Sequence, residues 1–163
     1  RHPHVFGSTQ VDSSGQVEQN WEALKLKEKG GNKTVLAGVP NTLPALIKAY
    51  RIQEKACNVG FDWEEKEQVW DKVKEEIGEF ENELIHLNEN KAEQEFGDLL
   101  FSLINAARLH KINPENALER TNQKFIQRFN YIEETAKRQN KNLKEMTLGE
   151  MDSLWNEAKS KGL

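Results

Sequence analysis

Residues 72–110 decide the fold, and they read KVKEEIGEFENELIHLNENKAEQEFGDLLFSLINAARLH. At about 100° per residue, the large apolar residues of the first half line up along one side of a helix. That apolar stripe consists of Val73, Ile77, Phe80, Leu84 and Leu87. The second half is apolar almost all round, which is typical of a helix buried in the interior. The segment therefore predicts two long helices that pack in a bundle.

The rest of the chain also predicts helices, separated by short breaks that contain Gly and Pro. Asp62 with Glu65, and Thr147 with Glu150, have the spacing of N-terminal helix caps. No segment alternates polar and apolar residues for long enough to predict a sheet. The expected helices cover about 17–29, 43–59, 62–87, 91–110, 113–137 and a short segment from 147 onward. The predicted fold class is all-α, a helical bundle.

Length and composition limit the class of protein. With 163 residues, of which 36% are hydrophobic, the chain is long enough for one domain with its own core. The single cysteine, Cys57, excludes an internal disulfide framework and favours a reducing compartment, so we expect the cytoplasm. No apolar run approaches the roughly 20 residues of a membrane-spanning helix. A formal charge of -4 argues against a nonspecific nucleic-acid surface, so neither a membrane nor a nucleic-acid polymer is an expected partner.

The expected domain organisation is simple. Residues 1–16 are rich in Ser, Gly and polar groups and are predicted to be a flexible arm or a severed connector. Residues 17–163 are predicted to form a single helical domain. The hydrophobic content is modest for a monomer of this size, and long amphipathic helices often bury their apolar faces against a second copy. We therefore expect a homodimer.

Two pairs of carboxylates stand at i, i+3 spacing on the predicted helices of residues 72–110. Glu76 and Glu79 lie beside the apolar stripe of the first helix, and Glu95 and Asp98 share one polar strip on the second. A carboxylate removed from water is unstable unless it is paired or bound to a cation. If the two helices pack side by side, the four oxygens suit Mg²⁺ or Mn²⁺, and such a site is typical of phosphoanhydride chemistry.

Two plainer explanations of the acidic pairs stay open. Many acids on a helix place some of them at the edge of its apolar face by chance. Glu95 and Asp98 could also form buried salt bridges, for example with Lys91 or Arg108.

Cations and an aromatic residue recur at i, i+4 spacing near the end of the chain. Lys124 and Arg128 flank the apolar face of one predicted helix, and Trp155 is followed by Lys159 on the next. Such groups could hold a base and a phosphate. Lys and Arg also commonly extend from the edge of a core, and a tryptophan more often packs than binds a ligand.

The acidic segments resemble a known family. EEIGE at residues 75–79, followed by EFGD at 95–98, is similar to the EExxE…ExxD signature of the MazG family of nucleoside triphosphate pyrophosphohydrolases. Further blocks read like that family in the same order, and the similarity covers about residues 17–163. These blocks are VPNTLPALIKAYRIQEKA, VGFDWEE, GDLLFSLINAARL, NQKFIQRF and EMDSLWNEAK. RHPHVF at residues 1–6 resembles the segment after the first of two tandem modules, so we expect the C-terminal module of a longer protein.

The resemblance implies an all-α dimer that hydrolyses nucleoside triphosphates to monophosphate and pyrophosphate with Mg²⁺, for which Mn²⁺ is a possible substitute. It implies four catalytic metal ligands, Glu76, Glu79, Glu95 and Asp98. It implies six nucleotide-binding residues, Lys72, Lys91, Lys124, Arg128, Trp155 and Lys159. The attack of water on the α-phosphorus also follows from the resemblance, since spacing does not say which anhydride breaks.

Two other classes compete with this hypothesis. Glu83 and His86 form a Glu-x-x-His pair, the element that di-iron carboxylate bundles take from two helices, but His110 has no Glu three residues earlier. Alternatively, the acidic stripes could bind partner helices in a non-catalytic interaction module. Base preference and the number of metal ions do not follow from the sequence.

Overall fold

The structure is a computed structural model of the chain, and it describes residues 34–63, 65–86 and 88–163. These residues form five α-helices and two short 3-10 turns, Val35–Gly38 and Leu143–Glu145, and contain no strand. The helices are α1 (Ala45–Cys57), α2 (Gln68–Ile85), α3 (Glu89–Leu109), α4 (Pro114–Arg138) and α5 (Leu148–Ser160). The predicted all-α class is confirmed. The helix predicted over 17–29 and the connector predicted over 1–16 lie outside the described residues.

The end of α1 follows from one glycine. After Cys57 the chain turns at Gly60, whose φ of +91° is one that residues with a Cβ rarely adopt. The backbone N–H of Phe61 then donates to the carbonyl of Ala56 at 3.0 Å, which closes the helix end. The predicted stop before Gly60 is confirmed.

The start of α2 differs from the prediction. The cap expected from Asp62 and Glu65 is wrong, because α2 begins at Gln68, and Glu67 occupies its N-cap position. The carboxylate of Asp62 accepts hydrogen bonds from the Cys57 thiol at 2.9 Å and from Arg108, which is 46 residues away. Arg108, which is distant in sequence, therefore binds the Asp62 side chain that the local spacing predicted to be a helix cap.

α2 packs along α3, and α1 packs against another part of α3. Val69 and Val73 of α2 are buried, as are Ile104 and Ala106 of α3. α1 and α2 therefore both pack on α3, and the buried residues show which faces of α2 and α3 meet.

Within the described part of the single chain, α3 is not buried all round, which differs from the expectation from the sequence. Its large apolar side chains Phe96, Leu100, Phe101 and Leu103 remain 41–46% exposed. On α2, Val73 of the predicted core stripe is buried, but Ile77 and Leu84 are 40% and 50% exposed, and Glu76 is buried instead. The side chain of Leu87 lies outside the description. Within the first unit, α3 packs against α1 and α2, and these contacts leave part of its apolar surface exposed.

The described residues divide after Pro114 into two compact units, the second being Glu115–Leu163. In the second unit, Ile132, Ala136 and Ala158 are buried. α5 starts with the predicted capping box, in which the Thr147 N–H donates to Glu150 Oε2 at 2.9 Å and the Glu150 N–H donates to the Thr147 hydroxyl at 3.2 Å. No described helix is long and apolar enough to cross a membrane.

Candidate functional site

α2 and α3 bring three of the predicted acidic residues together. Glu76 and Glu79 stand one helical turn apart on α2, and Glu95 comes from α3. One carboxylate oxygen from each residue lies within 4.8 Å of the others. We call these three residues the acidic cluster.

Asp98, the fourth predicted ligand, is not in the acidic cluster. It is exposed, one turn after Glu95 on α3, and it lines a cavity that Glu76 also lines. The structure therefore brings three of the four predicted carboxylates together and places the fourth on the adjoining cavity wall.

Glu76 is the buried member of the acidic cluster, with 5% of its surface exposed. Its Oε1 accepts from the ammonium of Lys72 at 2.7 Å, while Oε2 is buried and has no hydrogen-bond partner among the described residues. A buried carboxylate oxygen without a partner is unfavourable by about 1–3 kcal/mol or more, because its hydration is lost without replacement. Such an oxygen suits a bound cation.

Lys72 is held between two acids. Its ammonium donates to Glu75 at 2.8 Å as well as to Glu76. These two hydrogen bonds, the one to Glu75 first, raise the pKa of Lys72 above its ordinary value. Lys72 is therefore charged wherever the protein is folded near neutral pH.

The members of the acidic cluster repel one another. Partial desolvation and then the charge of Glu76 raise the pKa of Glu79, and Glu95 adds to the effect while Lys72 opposes it. Three hard oxygen donors with no Cys or His among them suit Mg²⁺ or Mn²⁺ better than Zn²⁺ or copper. Together with the unpartnered Glu76 Oε2, this donor set fits a hard divalent cation.

The other proposed partners of these acids are not found. Arg108 pairs with Asp62, so its suggested salt bridge to Glu95 or Asp98 is wrong. Among the described residues, neither Glu95 nor Asp98 forms an ion pair. Lys91 is exposed in the first turn of α3. The buried salt bridges suggested for the acids of α3 are therefore not formed within the described residues.

The Glu-x-x-His pair of α2 does not join the acidic cluster. His86 is exposed at the end of α2, where its Nδ1 lies 2.7 Å from the carbonyl oxygen of Asn82. Within the ranges that the structure describes, the cluster contains no histidine. This arrangement gives no support to a di-iron site.

A cavity of about 590 Å³ in the first unit shares Glu76 with the acidic cluster. Its walls are mainly apolar, with Leu36, Ile52, Val69, Phe61, Trp63 and Phe101. Its polar groups are Glu76, Asp98, Lys72, Gln53, Ser102, Asn105, Asp62 and Arg108. A largely apolar cleft with a few polar groups, open to a set of metal-type ligands, is the usual form of a small-molecule site.

A polar network fixes part of this cavity wall. The Arg108 side chain, only 10% exposed, donates to both carboxylate oxygens of Asp62 and from Nε to Asn105 Oδ1 at 2.9 Å. Desolvation alone would raise the pKa of Asp62, but hydrogen bonds from Arg108 and Cys57 outweigh it and lower the pKa. Desolvation and then the Asp62 carboxylate raise the pKa of the Cys57 thiol.

Sequence reasoning did not select Asp62, Arg108, Gln53 or Asn105 as site residues. Asp62 and Arg108 are 46 positions apart, and no short motif joins them. Asn105 falls on the same polar strip as Glu95 and Asp98, but it carries no charge and was given no role. Gln53 carries no charge and lies on a mostly apolar helix, so no pattern singled it out. Only the packing of α1 against α3 brings them to one cavity.

The remaining predicted nucleotide-binding residues lie in the second unit. The guanidinium carbon of Arg128 lies 5.3 Å from the centre of the Trp155 ring, and Arg128 Nε donates to the carbonyl of Leu163 at 2.7 Å. Trp155 also packs against Phe125, with ring centroids 5.0 Å apart. Lys124 and Lys159 are exposed. Trp155 thus packs against Phe125, and the guanidinium of Arg128 lies over its ring.

Comparison with known proteins identifies the family. Residues 64–132, which contain α2, α3 and part of α4, match the MazG nucleotide pyrophosphohydrolase domain. The chain belongs to the MazG family. The matched segment includes the whole acidic cluster, together with Asp98, Lys124 and Arg128.

Three relatives are similar to this MazG chain over nearly its whole length. It is 42% identical over 160 residues to the nucleoside triphosphate pyrophosphohydrolase/pyrophosphatase MazG of Thermotoga maritima, covering 98% of this chain and 60% of that protein. It is 37% identical over 163 residues to the nucleoside triphosphate pyrophosphohydrolase of Escherichia coli K12, covering 98% and 62%. It is 51% identical to the uncharacterized protein YabN of Bacillus subtilis, covering 98% and 33%. The chain thus spans under two thirds of each of these proteins.

Proposed function

We propose that this MazG chain hydrolyses nucleoside triphosphates to nucleoside monophosphate and pyrophosphate, using Mg²⁺ or, in its place, Mn²⁺. The observation that carries the proposal is the acidic cluster, whose member Glu76 has a buried, unpartnered Oε2 and also lines a cavity. The ligands would be the three residues of the cluster, with Asp98 joining from the cavity wall. The names of the relatives from Thermotoga maritima and Escherichia coli support the same reaction.

The residues of the chain have separable tasks in this reaction. When bound, the divalent cation would supply Lewis acidity toward phosphate oxygens and a more acidic water. A carboxylate of the acidic cluster accepts the proton of the water that attacks the α-phosphorus. Lys72 holds Glu76 in position and adds a fixed positive charge beside the oxygens on which negative charge develops.

The six cationic and aromatic residues predicted to bind nucleotide are Lys72, Lys91, Lys124, Arg128, Trp155 and Lys159. They are proposed from the family resemblance, and the exposure of Lys91, Lys124 and Lys159 leaves their ammonium groups accessible to phosphate. Arg128 stacked over Trp155 is a preformed cationic and aromatic pair.

A homodimer is part of the proposal. Outside the cavity wall, α2 and α3 carry large apolar residues that are 40–50% exposed in the single chain: Ile77, Leu84, Phe96, Leu100 and Leu103. A second copy of the chain would remove this apolar surface from water. The cytoplasmic location expected from the sequence stays a prediction.

The test is product identification with a panel of nucleoside triphosphates and Mg²⁺. Monophosphate plus pyrophosphate is expected, and EDTA should abolish its formation. Glu95→Ala should reduce turnover at least about 100-fold, whereas Glu93→Ala, which changes an exposed acid on the same helix, should leave it within about twofold. Diphosphate plus orthophosphate would move the cleavage to the other anhydride.

Two outcomes would favour the competing classes. Lack of any product with Mg²⁺ or Mn²⁺ would favour a non-catalytic interaction module. Visible absorption after iron loading would favour a di-iron centre.

A further inference from the structure

Gln53 of α1 is a buried polar residue that the proposed reaction does not use. Only 6% of its surface is exposed, and it lines the cavity beside the acidic cluster. Its Nε2 donates to the carbonyl oxygen of Phe101 at 2.8 Å. Because an amide nitrogen must be the donor in that bond, the orientation of the amide is set, and the other atom is the acceptor Oε1.

Gln53 Oε1 lacks a partner. It is buried and, within the described ranges, accepts no hydrogen bond. An unsatisfied buried acceptor is destabilising, so a residue needed only for packing would be better as a leucine or methionine. A ligand in the cavity that presents an N–H group would satisfy this oxygen.

Asn105 supplies the complementary group on the same cavity wall. Its Oδ1 accepts from Arg108 Nε at 2.9 Å, and Arg108 is itself held by Asp62. The amide of Asn105 therefore has its Nδ2 donor to offer to a ligand. Gln53 and Asn105 thus give this part of the cavity wall an acceptor and a donor, both oriented by bonds to other residues.

The position of Gln53 matches the far end of a nucleotide. The carbonyl that holds it belongs to Phe101, six residues after Glu95 on α3, which is about 9 Å along the helix axis. A nucleotide whose phosphates lie at the acidic cluster can therefore direct its base toward Gln53.

The substituent farthest from the sugar is at C4 of a pyrimidine and C6 of a purine. An amino group there donates to Gln53 Oε1 and leaves the adjacent ring nitrogen to accept from Asn105, whereas a keto oxygen there would face another acceptor.

We propose that the cavity selects nucleoside triphosphates whose base carries an amino group at purine C6 or pyrimidine C4, which are those of adenine and cytosine. Gln53 Oε1 is the specificity-determining acceptor. The proposal rests on the proposed pyrophosphohydrolase function and adds the class of base to it.

The first test needs no variant. Pyrophosphate release by the whole chain with Mg²⁺ is compared for ATP against purine riboside triphosphate, and for CTP against 2-pyrimidinone riboside triphosphate. Each analogue replaces the amino group by hydrogen. The expected result is a kcat/KM about tenfold higher for ATP and CTP than for their analogues, and higher for both than for GTP and UTP.

The second test removes the acceptor. Gln53→Met should lower kcat/KM for ATP to about the value that the wild type has for purine riboside triphosphate. The kcat/KM of the variant for that analogue should stay within about threefold of the wild-type value. Gln139→Met, an exposed glutamine in the second unit, is the matched control and should preserve the wild-type preference. If Gln53→Met does not fold, the wild-type comparison decides by itself.

The outcomes separate this proposal from the proposed function. Equal kcat/KM for each amino base and its analogue, or faster turnover of GTP and UTP, would overturn the role of Gln53 while the hydrolase function stands. If Gln53→Met lowers kcat/KM equally for ATP and for purine riboside triphosphate, that result would also overturn the role of Gln53. Lack of pyrophosphate from every nucleotide would overturn both proposals.

Discussion

Replacing Glu76 with glutamine should make the thermal stability of the chain insensitive to Mg²⁺. Glu76 Oε2 is buried without a partner in the described chain, and the charges of Glu79 and Glu95 lie close to it. Without a cation, the substitution removes this repulsion and loses the ion pair with Lys72, whose side chain is over one third exposed. Such a pair is worth about 0–1 kcal/mol. The two effects oppose each other, so the free energy of unfolding in EDTA should change by less than about 1 kcal/mol.

With Mg²⁺ the two proteins should diverge. A cation present at about 100 times its dissociation constant stabilises the folded wild type by about 2.7 kcal/mol. At about 2–4 °C per kcal/mol for a chain of this size, the Tm should rise by about 5–10 °C. In Glu76→Gln the buried anionic ligand is gone, so the rise should be less than about 2 °C.

The assay is thermal unfolding followed by circular dichroism at increasing Mg²⁺, beginning in EDTA. Glu81→Gln, an exposed acid on the same helix that is outside the acidic cluster, is the control and should respond to Mg²⁺ like the wild type. An unchanged Mg²⁺-dependent rise in Glu76→Gln would refute the assignment of Glu76 as a ligand.

Three further predictions concern stability and assembly. The hydrogen bond from Lys141 lowers the pKa of Glu150 to about 2, so the stabilisation by ionised Glu150 is complete above pH 4.5 and is lost as the pH falls toward 2; the Tm difference between wild type and Glu150→Gln should shrink over that interval. Asp62→Asn leaves the nearly buried Arg108 without its anion and should cost about 1–3 kcal/mol in urea unfolding, and an unchanged midpoint would contradict this. Leu100→Glu places a charge on the exposed apolar side of α3 and should shift sedimentation from dimer to monomer, whereas a wild type that sediments as a monomer would refute the dimer.

Local features of this protein were predictable because they depend on neighbours three or four residues apart. The capping box of Thr147 and Glu150 and the stop before Gly60 are examples. The same periodicity placed Glu76 and Glu79 on one side of α2, and it placed Glu95 on the polar strip of α3.

Features that depend on long-range packing were not predictable in the same way. Asp62 was expected to cap α2, but it pairs with Arg108, because a buried guanidinium needs an anion more than a helix end needs one more acceptor. Asp98 was expected in the acidic cluster, but it lies on the cavity wall. It lies one helical turn after Glu95 on α3, and periodicity alone does not say which turn of α3 meets Glu76 and Glu79.

The amino-acid sequence alone determined that the chain is helical and which residue types lie on each helix face, since backbone hydrogen bonding and side-chain periodicity are local. The tertiary structure decided which faces meet. It buried Glu76 beside two other carboxylates and brought Gln53 to the wall of a cavity, because burial and pairing depend on what the neighbouring helices bring to the same place.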